Sequence, residues 1–247
     1  MKKIILGVLL LGTVTGYSQS MEGMITYEKV SHWSKIIDKL TFLSEEERSR
    51  SKTSWGSMDD DGDKSRGNLF ITSSKSKYLD VEMENEGGYS GRNREYVIMH
   101  DYDTEKILEI EEFSGKTYII EDRLVTPKWK VHNKIKEVNG YMCMMATSED
   151  TLKGQKIEAW FANDIASSAG PERYFGLPGL IMEINVNEGE VIITAVKVEK
   201  KSVSEDILPP KKLKGKKINQ QQYNKMIADF VRDSMAAHRN PFWVIRY

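Results

Sequence analysis

The chain has 247 residues, 39% apolar and 30% charged, with 36 Lys and Arg against 37 Asp and Glu. That length buries a core without metal or disulfide staples, and the balance is that of a globular chain, not a disordered one. A formal charge of −1 offers no basic surface to neutralise phosphates, which argues against nucleic acid as a partner. Beyond the N-terminus no apolar run approaches the roughly 18 residues of a spanning helix, which excludes a multi-span channel or transporter.

Met1-Lys2-Lys3 is a short basic start, residues 4–14 are apolar, and residues 15–20 are small and polar. This is the layout of a secretory signal peptide. Cleavage after Ser18 and cleavage after Ser20 both leave small residues at the −3 and −1 positions, and both stay open. No cysteine lies near the leader, so a lipid anchor is not expected. The protein is therefore expected in the periplasm or outside the cell. Cys143 is the one cysteine, so the mature chain has no internal disulfide.

Residues 23–30 alternate apolar and polar side chains, which predicts a half-buried strand. Shorter strands follow at 69–71, 78–81, 95–102, 107–113 and 117–121, separated by Gly, Asp and Ser turns. The sharpest hairpin joins 129–138 to 141–147 through Asn139-Gly140, the residue pair favoured in a type I′ turn. Further strands are predicted at 155–161, 180–186 and 191–198. Two stretches show helical spacing. Residues 31–47 carry Trp33, Ile36, Ile37, Leu40 and Leu43, with Ser31 placed to cap. Residues 219–238 carry Tyr223, Met226, Ile227, Phe230 and Val231. Between them, 48–67 reads as a polar loop. The expected fold is α+β and β-rich: one domain over 21–247, with a long curved antiparallel sheet shaped like a bowl or half-barrel. A C-terminal helix joins it, and a short helix and polar loop are inserted at about 31–67.

Residues 175–184 read Phe-Gly-Leu-Pro-Gly-Leu-Ile-Met-Glu-Ile. Pro178 and Gly179 suit the two central positions of a type II turn, with Gly179 at φ > 0. Gly176 suits a close backbone approach. The string at 176–181 resembles the signature of the GLPGLI family, secreted proteins of Bacteroidota. Pro127, Trp129, Lys136, Gly140-Tyr141, Cys143, Ala146, Ala159-Trp160-Phe161, Ile165, Gly170-Pro171, Pro209 and Gly215-Lys216 agree with it. The resemblance implies an exported β-rich protein and supplies no activity. At the level of fold it also resembles the bowl-shaped N-terminal domain of a bacterial peptide:N-glycanase.

Residues with chemistry of their own are few. Cys143 and His132 share a face of the Asn139-Gly140 hairpin. In an unbroken register His132 faces Thr147, too far from Cys143 to activate a thiol, which leaves Cys143 a core residue. Met142 to Met145 alternate across a strand, so they cannot converge on copper. Asp59, Asp60, Asp61 and Asp63 resemble a calcium loop, but the later positions of that motif hold Lys64 and Phe70. Lys211, Lys212, Lys214, Lys216 and Lys217 read as a solvated basic face. The four histidines show no metal-ligand spacing. No catalytic residue, metal ligand or cofactor is assigned. The remaining candidate is an apolar rim of Trp160, Phe161, Tyr174, Phe175, Leu177 and Pro178, suited to an apolar ligand or an envelope protein. The function expected is a non-catalytic binding or accessory module with a sheet platform. A hydrolase with an unrecognised active site is the alternative.

Overall fold

A computed structural model describes residues 21–59, 61–81 and 96–247. The proposed leader lies outside them, as does Asp60 of the calcium-like run. In chain order the strands are β1 (Gly23–Ser31), β2 (Asp63–Ile71), β3 (Lys75–Val81), β4 (Tyr96–Asp101), β5 (Lys106–Phe113) and β6 (Lys116–Arg123). Then come β7 (Lys130–Val138), β8 (Tyr141–Asp150), β9 (Gln155–Ala162), β10 (Leu180–Val186), β11 (Val191–Lys200) and β12 (Lys216–Ile218). The helices are α1 (Trp33–Ile37), α2 (Glu45–Asp59) and α3 (Gln220–Ala236).

All twelve strands form one open sheet in the order β12-β6-β5-β4-β3-β2-β1-β11-β10-β9-β8-β7. The described pairings are antiparallel except β12 with β6. Most strands adjacent in sequence pair with one another, several through short turns, and β1 joins the two meanders by pairing with both β2 and β11. Asn139 and Gly140 have φ of 48° and 80°, so the β7–β8 hairpin closes on the expected left-handed turn.

Alternation along β1 sends Ile25, Tyr27 and Lys29 to one buried face. The register extends that face through Leu69 and Ile71, Tyr78 and Asp80, Tyr96 and Ile98, Glu109 and Glu111, to Tyr118 and Ile120. Residues 163–179, α3 and the segment 241–247 pack on this inner face. Phe230 of α3 meets Phe113 edge-on with ring centroids 5.0 Å apart. The opposite face is covered locally by Val203 and Ile207 against Phe70. Helix α3 starts on a reciprocal cap: Asn219 accepts from Gln222 N, and the Gln222 side chain accepts from Asn219 N.

Three expectations change. The helix expected over 31–47 is only five residues long, α1. Ser31 remains in the sheet, paired with both Val191 and Asp63, so the chain leaves β1 later than the apolar spacing suggests. Ile36, Ile37 and Leu40 still reach the core. The polar loop at 48–67 is instead α2 followed by β2, whose polar first half pairs fully with β1. Helix α2 has its own capping pair, Ser44 with Glu47. Arg48 ties it down by donating to the carbonyls of Asp38, Leu40 and Leu43. In β7 a bulge between His132 and Ile135 shifts the register, so His132 pairs with Met145 rather than Thr147. Its Nε2 lies 2.8 Å from Thr147 Oγ1, and the Cys143 thiol contacts Tyr141 O.

Gly176 makes the close approach expected of it, an added Cβ lying 2.3 Å from Thr126 Cγ2, but the expected turn geometry at Gly179 changes. Gly176, not Gly179, has the left-handed φ, +92°. Gly179 lies against the backbone, where an added Cβ would sit 2.3 Å from Ala162 O. The type II turn is thus replaced by a tight pass of residues 163–179 over the end of β9. Gly179→Ala is expected to cost about 2–3 kcal/mol, because the contact is with backbone that cannot yield. Gly140→Ala, in open space at positive φ, should cost about 1 kcal/mol. Equal losses in thermal denaturation would remove the close approach as the reason for Gly179.

Candidate functional site

The segment 163–179 is fixed at both ends. Ile165 N donates to Ala162 O, Gly176 N to Ser168 O at 2.7 Å, and Ile181 N to Ala169 O at 3.0 Å. These bonds drive its middle into the inner face. Tyr174 N closes a turn on Pro171 O, and Glu172 inside that turn takes φ +52°. Glu105, Asn187 and Glu188 take the same left-handed region in turns of their own, so what holds this turn on the sheet is a side-chain anchor.

Glu172 is that anchor. Its Oε1 accepts from Lys29 Nζ at 2.9 Å and from Arg246 Nη2 at 2.7 Å. Arg246 also grips Asp80 through two bonds, at 2.6 and 2.8 Å, and its guanidinium lies 3.6 Å from the centre of the Tyr96 ring. Burial by itself raises Glu172, but Arg246 and Lys29 more than reverse this and hold it at about 2. Lys29 is lowered although it faces the same carboxylate. Burial strips its water, and Arg246 shares Glu172 with it.

Arg173, the next residue, makes a second cluster. It bonds both oxygens of Glu109 through Nε at 3.0 Å, reaches Glu111 at 3.4 Å, and stacks over Tyr223 at 5.0 Å. Burial pushes Glu109 up to about 7, with Arg173 opposing and Glu111 adding. Lys153, from the β8–β9 turn, donates to Arg246 O at 2.7 Å. Burial and Arg173 lower it to about 8.

Beside this network a cleft of about 460 Å³ opens. Its floor is His100 and Ile107, its walls are Trp129, Leu152, Ile157 and Phe175, and Asp150, Gln220 and Asn224 stand at the rim. Trp129 Nε1 donates to Phe175 O at 2.8 Å, which ties one wall to the other.

Of the rim expected from the sequence, Tyr174 and Phe175 line this cleft. Phe161 and Leu177 are buried in the core, and Pro178 is exposed. Trp160 is buried elsewhere, its Nε1 on Glu158 and Lys136 Nζ 4.5 Å over its ring. The six are therefore not one surface. The charged residues Lys29, Asp80, Glu109, Glu111, Glu172, Arg173 and Arg246 were not singled out by sequence reasoning. Lys29 gives the one clear signal, being in phase with Ile25 and Tyr27. No cluster of three or more His, Cys, Asp or Glu suited to a metal occurs among the described residues. Among the same residues, no helix is long and apolar enough to cross a membrane.

Residues 147–183 match a family described as "Protein of unknown function (Porph_ging)". The matched stretch runs from β8 into β10 and contains both the β8–β9 turn and the Glu172-Arg173 segment. The name is not the one expected from the string at 176–181. No curated protein matches the chain. Two crystal forms of PNGF-II share the fold. One, in space group C2, has TM-score 0.56 and 14% identity over 84% of this chain and 32% of that one. The other, in P21, has TM-score 0.53 and 13% identity over 84% and 33%. The chain thus spans about a third of PNGF-II, and at this identity the likeness is one of fold.

The charges set an expected acid profile. Glu172, depressed from 4.5, contributes stability above that value, and the contribution is lost as pH falls through about 2. His100, depressed from 6.5 by burial and then Arg173, loses its contribution as pH falls through about 4. Glu109, raised, acts in the opposite sense: its contribution is present at low pH and lost as pH rises through about 7. His100 and Glu109 therefore offset one another between pH 7 and 4.5, and Glu172 dominates below. Stability should be level to about pH 4.5 and then fall by up to about 3 kcal/mol. Denaturant titrations of Glu172→Gln should show a lower plateau without that fall. A variant as acid-sensitive as the parent would contradict the assignment.

Proposed function

We propose that the protein is an exported, non-catalytic binding or accessory module of the cell envelope, related to the GLPGLI proteins, with its ligand site in the cleft between Trp129, Leu152 and Phe175. Export rests on residues 1–20, whose basic, apolar and small-residue zones are those of a leader. The carrying observation for the binding role is that the charges converging on the inner face satisfy one another. Lys29, Arg246 and Arg173 are each paired with carboxylates at hydrogen-bond distance. A catalytic site needs a group poised and free to meet substrate. The hydrolase alternative has one specific support, Glu109, raised into the range of a general acid. Arg173 engages both of its oxygens, and the side chain has no exposure. The cleft has the volume and the mixed lining of a small-molecule site. Tyr174 and Phe175 are the members of the expected rim that this reading retains.

Intact mass of the protein recovered from the envelope fraction is expected to correspond to a chain starting at Gln19 or Met21. A product retaining residues 1–14 would refute export. An apolar fluorophore should bind the purified domain, and Leu152→Trp, which fills the cleft from its turn, should lower that affinity at least tenfold without changing Tm. Unchanged binding would move the site elsewhere.

A further inference from the structure

Among the described residues, the lining of the cleft includes a buried side chain with one unpartnered nitrogen, His100. The register sets Ser76, His100, Ile107 and Asp122 in one row across β3 to β6. Asp122 is committed at both oxygens, accepting from Arg123 N at 2.7 Å and Gln220 N at 2.9 Å. His100 is 3% exposed. Its Nδ1 lies 3.4 Å from Ser76 Oγ, which in turn lies 2.8 Å from Tyr102 Oη. Its Nε2 is shielded from solvent and has no hydrogen-bond partner among the described residues. Leaving such an atom unpaired costs on the order of 1–3 kcal/mol, and such exceptions call for an explanation.

The surroundings narrow what would complete it. The apolar part of the cleft's lining is Ile107, Leu124, Leu152, Ile157, Trp129 and Phe175, the last with its ring centre 4.6 Å from that of His100. Apart from Glu149, exposed at the edge of the lining, the charged side chains nearby are engaged. Arg123 pairs with Glu105, Arg173 with Glu109, and Asp150 Oδ1 accepts from Leu152 N and Lys153 N. No spare charge at the floor favours an anion or a cation. The Ser76 contact is compatible with either neutral tautomer of His100, so Nε2 either donates or accepts. A hydroxyl group meets both cases.

We propose that the cleft binds a small uncharged ring compound bearing a hydroxyl, the ring lying among Trp129, Leu152 and Ile157 and the hydroxyl bonded to His100 Nε2. This rests on reading the cleft as the ligand site and specifies the chemistry of what enters it. Because Nε2 is shielded, the Phe175 ring turns aside as the ligand enters. A volume of about 460 Å³ holds one substituted ring, within the range of small-molecule sites.

The test compares p-cresol, toluene and p-toluate, which share a ring and differ in the polar group. Affinities are read by ligand-detected NMR, and His100 Nε2 is followed through its side-chain nitrogen shift. Wild type should bind p-cresol about tenfold more tightly than toluene and show no saturable binding of p-toluate, with the Nε2 resonance moving only for p-cresol. His100→Phe removes the orphaned nitrogen and should fold at least as well as wild type. In it the ratio of p-cresol to toluene affinity should fall to about one. Leu152→Trp should weaken both. Equal binding of p-cresol and toluene by wild type, tighter binding of p-toluate, or a ratio unchanged in His100→Phe would overturn the hydroxyl assignment and leave the cleft standing. Absence of saturable binding for all three compounds and for the apolar fluorophore would overturn the cleft as well.

Discussion

The Glu172 carboxylate, shared by Lys29 and Arg246, joins three parts of the chain that are distant in sequence. Lys29 comes from the central strand of the sheet, Glu172 from the segment between β9 and β10, and Arg246 from the segment following α3. Arg246 continues the chain of contacts to Asp80 on β3. Removing one member of such a buried set leaves an uncompensated charge, at about 3–5 kcal/mol, whereas the intact set adds little over an apolar substitute. Its value lies in geometry. Apolar side chains alone would let residues 163–179 settle on the inner face in several positions. A carboxylate that must meet two cations narrows the choice.

The cleft follows from that placement. Fixing Glu172 fixes Arg173, and Arg173 takes up the two carboxylates that β5 sends inward. Phe175 is then set beside His100, with its carbonyl receiving Trp129. The charged network and the cleft are thus two sides of one segment, the first rigid and satisfied, the second lined with apolar groups. PNGF-II shows that a sheet of this topology occurs within a longer protein. The resemblance carries over no site, since a fold hosts many functions.

Much of the sheet was legible in the sequence. Alternation placed β1, apolar runs bounded by turn residues placed β9, β10 and β11, and Asn139-Gly140 marked the hairpin, because these features are local. Helix α3 was legible for the same reason. What failed was non-local. The apolar stripe after Ser31 has helical spacing, yet pairing with Val191 and Asp63 on two neighbouring strands outweighs it. Helix α2 lacks an apolar stripe, so periodicity passes over it, although Ser44 and Glu47 stand at capping-box spacing. Inward-facing Glu109 and Glu111 look like solvent-facing residues until Arg173, far along the chain, is placed above them. Even Lys29, in phase with buried residues, names no partner by itself.

The last strand of the sheet shows how such an open architecture stays discrete. Strand β7 forms one edge, and the other is the three-residue β12. An unpaired edge offers its backbone to any extended chain that drifts past. Here the edge is bulged between His132 and Ile135, and Lys130 and Lys134 are both exposed along it. An incoming strand would lose register at the bulge and would have to desolvate two ammonium groups. The bulge and the lysines thus work against strand addition at the exposed Val131 and Ile135. In a chain without disulfides, that guard against polymerisation is built into the geometry of a single strand.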